Sequence, residues 1–248
     1  MLSTLRNQHF FPAYLNVRQR KLIFGDKFKT ELENNPAYAT IGDEEFQLQH
    51  IDRRKEIPAR RPLVKQAVQL MQTPEDWRQL PNLLEGLHKA HATPTVDVQE
   101  KMIRKAIEAG QFAVVVRCLK RSASTGVTLK NDRILNQVIW GLHQVAQTDN
   151  WGEEHVTQAL RHSRNDIAQL LESEEHGSGR RIGPNDPRTR PEVIGVFLEL
   201  HAVNAFKFHD GRDVDGNVKT YAERLMACFG GSNQVRWFTD LCIKLPTD

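Results

Sequence analysis

From Pro62 onward, apolar residues recur every three or four positions, the period of helices that each bury one face. Leu63, Val64, Ala67, Val68, Leu70 and Met71 form the first such stripe, and Pro62 suits a first helical turn. Thr73-Pro74-Glu75-Asp76 is a capping signature for the next helix, Pro81 splits that helix, and Leu83, Leu84 and Leu87 continue it to about Ala92. Residues 62 to 92 thus predict one helical hairpin. A second spans 97 to 126, with Met102, Ile103, Ala106 and Ile107 before a break at Ala109-Gly110, then Val115, Val116 and Leu119 before Gly126. The third pairs a helix from about Asp132 to Val145, inward at Ile134, Leu135, Val138, Ile139 and Leu142, with one from about Glu153 to Leu171 that exceeds an ordinary repeat helix. Val193, Ile194, Phe197, Leu198 and Leu200 begin a fourth pair, completed by Val218, Tyr221, Ala222, Leu225 and Met226. A last helix over 233 to 244, carrying Trp237, Phe238 and Leu241, would cap the series.

A lone pair of short amphipathic helices cannot bury its apolar faces, so each pair implies neighbours stacked against it. The predicted fold is therefore all-α. The stretch DVQEKMIRKAIEAGQFAVVVRCLKRSASTGVTLKN, residues 97 to 131, also resembles one pentatricopeptide repeat in register. It spans 35 positions, the family's repeat length, with Ala109-Gly110 at the inter-helix turn and Gly126 at the glycine closing the second helix. The resemblance implies a right-handed α-solenoid of about four helix-turn-helix pairs, acting in organelles on single-stranded RNA through a few side chains per repeat. It assigns base reading to the fifth position of the first helix and the last of the repeat, here Lys101 and Asn131. Lys101 stands where the family carries a small polar residue, and a lysine in the groove serves a phosphate better than a base edge.

Residues 1 to 60 do not follow the helical-repeat pattern and form a mixed N-terminal extension. Ala37 to Ile41, the Gly42-Asp43 turn signal and Phe46 to Leu48 predict a small β-hairpin there. Arg53, Arg54, Lys55, Arg60 and Arg61 make a basic linker into the repeat domain of residues 61 to 245. Within that domain, the Gly, Ser, Pro and Asn content of residues 173 to 191 predicts a long irregular loop, either disordered or ordered on a partner.

The first acidic residue is Asp26. Arg6, Arg18, Arg20 and Lys21 precede it among Leu2, Leu5, Phe10, Phe11 and Leu15, a composition compatible with a mitochondrial transit peptide or with a basic arm on a partner's surface. Net charge is +3 and pI about 8.8, which permits a polyanionic partner without requiring one. No apolar run approaches the roughly 20 residues of a membrane span. Cys118, Cys228 and Cys242 form no CxxC pair, which fits a reducing compartment and gives no zinc knuckle.

Catalytic motifs are not evident. No G-x-S-x-G elbow, Walker loop or dinucleotide glycine motif occurs. Asp213-Val214-Asp215-Gly216-Asn217 starts like a calcium loop, but its twelfth position is Arg224, so it reads as an inter-helix turn with Asp213 or Asp215 capping the next helix. His88 and His91, like His155 and His162, can share a helix face, yet further ligands for a metal are not visible, and they read as surface or half-buried histidines. The sequence therefore points to a non-enzymatic factor of the mitochondrial matrix, with no cofactor, metal or small-molecule substrate, associated with RNA or the mitochondrial ribosome. The competing class is a protein-binding scaffold or assembly factor for a mitochondrial complex. The expected contact residues are Lys101, Lys105, Lys120 and Asn131, with Arg180, Arg181, Arg188 and Arg190 of the loop. A positive stripe joining Lys101, Lys105, Arg117 and Lys120 to those arginines would favour RNA.

Overall fold

The computed structural model describes residues 4–229, apart from 42, 54, 56, 58, 180, 184 and 185. The expected cap at 233 to 244, Gly42 of the hairpin turn, Arg54 of the linker and Arg180 of the loop lie outside the described residues. Over the described residues the protein is mostly helical, with one two-stranded antiparallel sheet. Its contacts divide it into two units, one of Met1–Val98 with Arg121–Gly126, the other of Gln99–Lys120 with Val127–Asp248.

In the first unit, the N-terminal segment is folded. A π-helical run at Leu5–Phe10 leads into a short helix, Phe11–Tyr14, whose Pro12 sits in the first turn, where its missing N–H costs nothing. Helix α1, Val17–Phe24, starts from a reciprocal capping box between Asn16 and Gln19. After a helical turn at Lys29–Asn34 come strands β1, Tyr38–Ile41, and β2, Glu44–Gln47, paired Tyr38↔Gln47 through Ile41↔Glu44. Leu15, Ile23, Leu32, Ala39 and Leu48 close a small core with Phe11 and Phe24 against it. Leu5 is fully buried.

Helix α2, Arg60–Leu70, begins two residues before Pro62 and places the proline in its first turn. The Thr73–Asp76 box caps a short helix, Pro74–Trp77, and the chain breaks before α3, Leu80–Lys89, with Pro81 in its first turn. On α3, a Cβ added at Gly86 would lie 2.5 Å from the Phe10 ring, so only glycine allows that ring against the helix. The last piece of the unit is a one-turn helix, Ser122–Thr125, packed on α3 and ended by Gly126 at φ 71°.

Helix α4, Val96–Glu108, runs from the first unit into the second, and α5, Phe112–Lys120, follows Gly110. Then come α6, Asp132–Trp151, α7, Glu153–His162, α8, Pro191–Phe208, and α9, Asn217–Phe229. In this unit α6 packs on α5, α7 and α8, while α8 packs on α7 and α9. The predicted inward residues of α4, α5 and α6 are buried, Cys118 among them. Gly141 brings α6 so near α4 that an added Cβ would meet Ile107 Cδ1 at 2.6 Å.

The long second helix of the third pair is composite: α7 passes through a π-helical segment, Ser163–Ile167, into Ala168–Glu172. In α9 only Leu225 is buried, and Met226, expected inside, is 58% exposed. Asp213 accepts hydrogen bonds from the Val218 and Lys219 amides at 3.2 and 3.0 Å, and Asp215 from the Asn217 amide at 3.2 Å. The Asp213–Asn217 turn thus caps α9, as its sequence predicts.

Candidate nucleic-acid interface

Lys101 and Lys105 lie one turn apart on α4, both exposed and without an acidic partner among the described residues. Their neighbours Arg104 and Glu108 pair with each other at 3.7 Å. Arg117 on α5 is also exposed. Among the other expected contacts, Lys120, Asn131, Arg188 and Arg190 have partners within the fold. Lys120 Nζ lies 2.5 Å from Asp166 Oδ1, and His162 Nδ1 donates to Asp166 Oδ2 at 2.7 Å. Burial opposes the charge of Asp166, but hydrogen bonds from Lys120 and His162 outweigh it and lower its pKa. His162 is itself buried, not a surface residue, with its ring edge-on to Phe112. The π-helical segment after α7 carries Asp166, a connection that periodicity alone does not reveal. Asn131 is the N-cap of α6, its side chain accepting from the Arg133 amide at 3.1 Å.

The arginine loop is ordered by its own residues. His176 is 1% exposed; the Leu129 amide donates to its Nδ1 at 3.1 Å, and its Nε2 donates to the Leu119 carbonyl at 3.0 Å. Beside it, Thr128 Oγ1 donates to the Glu175 carbonyl at 2.6 Å. These bonds tie residues 175 and 176 to the end of α5 and the segment before α6. Further along, Asp186 is fully buried and caps a 3-10 turn, Pro187–Thr189. Arg188 donates to both Asp186 oxygens, at 2.9 and 2.8 Å, and to the Gly179 carbonyl at 2.7 Å. That guanidinium holds the Asp186 carboxyl far below the ordinary carboxylate range. Arg190 pairs with Asp132 at 2.6 Å, whereas Arg181 is exposed. The loop, expected to be either disordered or ordered on a partner, thus has Arg188 and Arg190 paired within the fold, and of the expected contacts among the described residues Lys101, Lys105 and Arg181 face solvent, as does Arg117.

Sequence reasoning passed over an aromatic cluster at the end of α6. Trp140 is 53% exposed and stacks on His143, with centroids 4.9 Å apart and an interplanar angle of 24°. Trp151 meets the other side of His143 edge-on at 5.3 Å, and His143 Nδ1 donates to Glu199 Oε2 at 2.7 Å. The i, i+3 spacing of Trp140 and His143 was the signal available. Trp151 joins them because α6 stops being helical at Thr148 and turns left-handed, with φ of 52°, 51° and 61° at Asp149, Asn150 and Trp151. Such a conformation costs about 1–2 kcal/mol per residue outside glycine, less for Asp and Asn. Lys207 Nζ secures it by donating to the Asn150 carbonyl at 2.6 Å. The turn also walls an open cleft of about 610 Å³.

The small ribosomal subunit protein mS27 of Neurospora crassa is 26% identical over 253 residues, covering 100% of this chain and 62% of its own length. The chain thus spans about three fifths of that relative. Residues 1–242, which include every contact residue named above, match the family model of mitochondrial ribosomal protein mS27. On that match, the chain belongs to the mitochondrial ribosomal protein mS27 family.

Proposed function

We propose that this protein is a non-enzymatic component of the mitochondrial small ribosomal subunit, working in the matrix by holding ribosomal RNA and neighbouring proteins. The observation that carries the reading is the family match along residues 1–242. The helical pairs stack as a right-handed α-solenoid in this reading, and residues 97 to 131, with their pentatricopeptide-like register, are its clearest repeat. Lys101, Lys105, Arg117 and Arg181 take phosphates, while Arg188, Arg190 and Lys120 keep the loop and the helix ends in place. Arg180 is assigned to the phosphate set by its charge. Such contacts release counterions, so affinity falls steeply as salt rises.

A tagged chain expressed in mitochondria tests this reading. It should sediment with the small subunit in a sucrose gradient and stay with it when the two subunits are separated; a tag that remains at the top of the gradient overturns it. The scaffold alternative is favoured by one observation: the second unit has 19 lysines and arginines against 19 aspartates and glutamates, with Arg188 and Arg190 of its loop paired to Asp186 and Asp132. Recovery of the tag in an immature particle and its absence from the finished subunit would support an assembly factor.

A further inference from the structure

Trp140 leaves half of a large aromatic surface in water, and its other face is built upon. His143 lies beneath the ring, Trp151 braces His143 from the side, and Glu199 fixes the imidazole by a 2.7 Å hydrogen bond. An aromatic backed and held in this way offers one π-face without first having to order itself. Trp140, Gln144 and Gln147 recur at i, i+4 and i+7 on one face of α6. Gln144 and Gln147 line the 610 Å³ cleft, with Asn150 and Trp151 from the left-handed turn and Ile107 and Glu108 from α4. On α4 the same spacing aligns Lys101, Lys105 and Glu108, so the two unpaired lysines share the helix face that ends at the cleft. Along the axis Lys105 stands about 4.5 Å, and Lys101 about 10 Å, from Glu108.

We propose that Trp140 is a stacking platform for an unpaired RNA base, with the Gln144, Gln147 and Asn150 amides facing its edge and Lys101 and Lys105 holding flanking phosphates. The inference rests on the ribosomal reading above and adds a site to it. Carboxamides both donate and accept, as base edges do, and an exposed π-face on α6 together with two unpaired lysines on α4 supplies partners for both base and phosphate of a single strand. Stacking tolerates any base, so the site selects for unpaired nucleotides before sequence.

The full chain is titrated with an unstructured eight-nucleotide RNA, and with the same backbone lacking bases, across a salt series. Replacing Trp140→Ala should weaken binding of the RNA roughly tenfold, the scale of one lost stacking contact, and leave the salt dependence unchanged. Trp140→Phe should recover most of the loss, and because it keeps a ring it tests the site even where alanine perturbs folding. The double replacement Lys101→Gln and Lys105→Gln should lower the salt slope by about 1.4, at roughly 0.7 per phosphate contact in a single strand. The abasic backbone should bind the parent and the Trp140→Ala variant alike. Equal RNA affinity of that variant and the parent overturns the proposal, as does abasic binding as tight as that of the RNA.

Sedimentation with the small subunit is read in parallel. Failure of the unaltered chain to cosediment defeats the ribosomal reading, and the oligonucleotide result then stands or falls alone. If Trp140→Ala loses the subunit while keeping full oligonucleotide affinity, the ring belongs to a protein neighbour and the RNA assignment is overturned.

Discussion

Arg188 shows how far one side chain can depart from what its composition suggests. In a Gly- and Pro-rich loop an arginine is ordinarily a solvated charge, but here it neutralises a carboxylate with no solvent exposure. Removing one partner of a buried pair leaves the other charge uncompensated, at a cost of about 3–5 kcal/mol when both are deeply buried. Arg188 retains 19% side-chain exposure, so Arg188→Gln should cost somewhat less and lower the thermal midpoint by about 5–10 °C. Arg181→Gln, at an exposed position, should leave the midpoint nearly unchanged. Equal midpoints for both variants would count against the ordered loop. His176 adds a pH dependence. Burial holds its pKa below the ordinary 6.5, despite the Leu119 hydrogen bond and Glu175 raising it. His201 is shifted the same way, again chiefly by burial. The folded protein therefore binds fewer protons than the unfolded chain, and stability is whole above pH 6.5 and declines as pH falls below it. Urea midpoints at pH 7.5 and 5.5 should show that decline, with a shallower dependence in His176→Gln.

Among the elements, the two glycines at repeat boundaries share a conformation but differ in surroundings. Gly110 and Gly126 both have φ of 71°, where any other residue is strained. A Cβ at Gly110 meets nothing, whereas one at Gly126 would lie 2.9 Å from both His88 Nδ1 and Thr93 Cγ2, two residues joined by a 2.9 Å hydrogen bond between His88 Nδ1 and Thr93 Oγ1. Gly110→Ala should cost about 1 kcal/mol, the backbone penalty alone, and Gly126→Ala more, as judged by denaturant titration. The helices from Arg60 to Phe229 are legible in the sequence because caps, prolines and 3.6-residue spacing are local signals. The loop is not, since its order depends on His176 reaching Leu119 and Leu129, 57 and 47 residues away. Of the candidate site, Lys101 and Lys105 are readable as charged positions on a known helix face, but the bracing of His143 by Trp151 requires a left-handed turn that no pattern announces. The N-terminal helices are hidden for another reason, because their basic, acid-free composition matches an import signal as well as a folded segment. Leu5, Leu15 and Ile23 are buried at 0–4% exposure, so cleavage near residue 30 would remove three core side chains. We expect protein isolated from mitochondria to retain residues 5 to 30, as checked by N-terminal mass spectrometry.

At the scale of the molecule, charge is divided unevenly between the two units. The first carries 15 lysines and arginines against 12 aspartates and glutamates, and so the entire +3, while the second is balanced. Long-range attraction to a polyanion thus originates in the first unit, and the stacking and hydrogen-bonding groups proposed for RNA lie in the second. Attraction at a distance mainly sets how fast partners meet; close contacts set how long they remain. Arg18, Arg20 and Lys21 are exposed on α1, with no acidic partner among the described residues. Replacing all three by glutamine should slow association with the eight-nucleotide RNA severalfold at low salt and leave dissociation nearly unaltered. The difference should vanish toward 1 M salt, where the screening length contracts to about 3 Å. Trp140→Ala should do the opposite, speeding dissociation at every salt concentration. Stopped-flow binding in vitro separates the two effects, and it avoids any influence of the same arginines on import. An unchanged association rate in the triple variant would place the steering charge outside α1, in the basic linker of residues 53 to 61 or in Lys101 and Lys105.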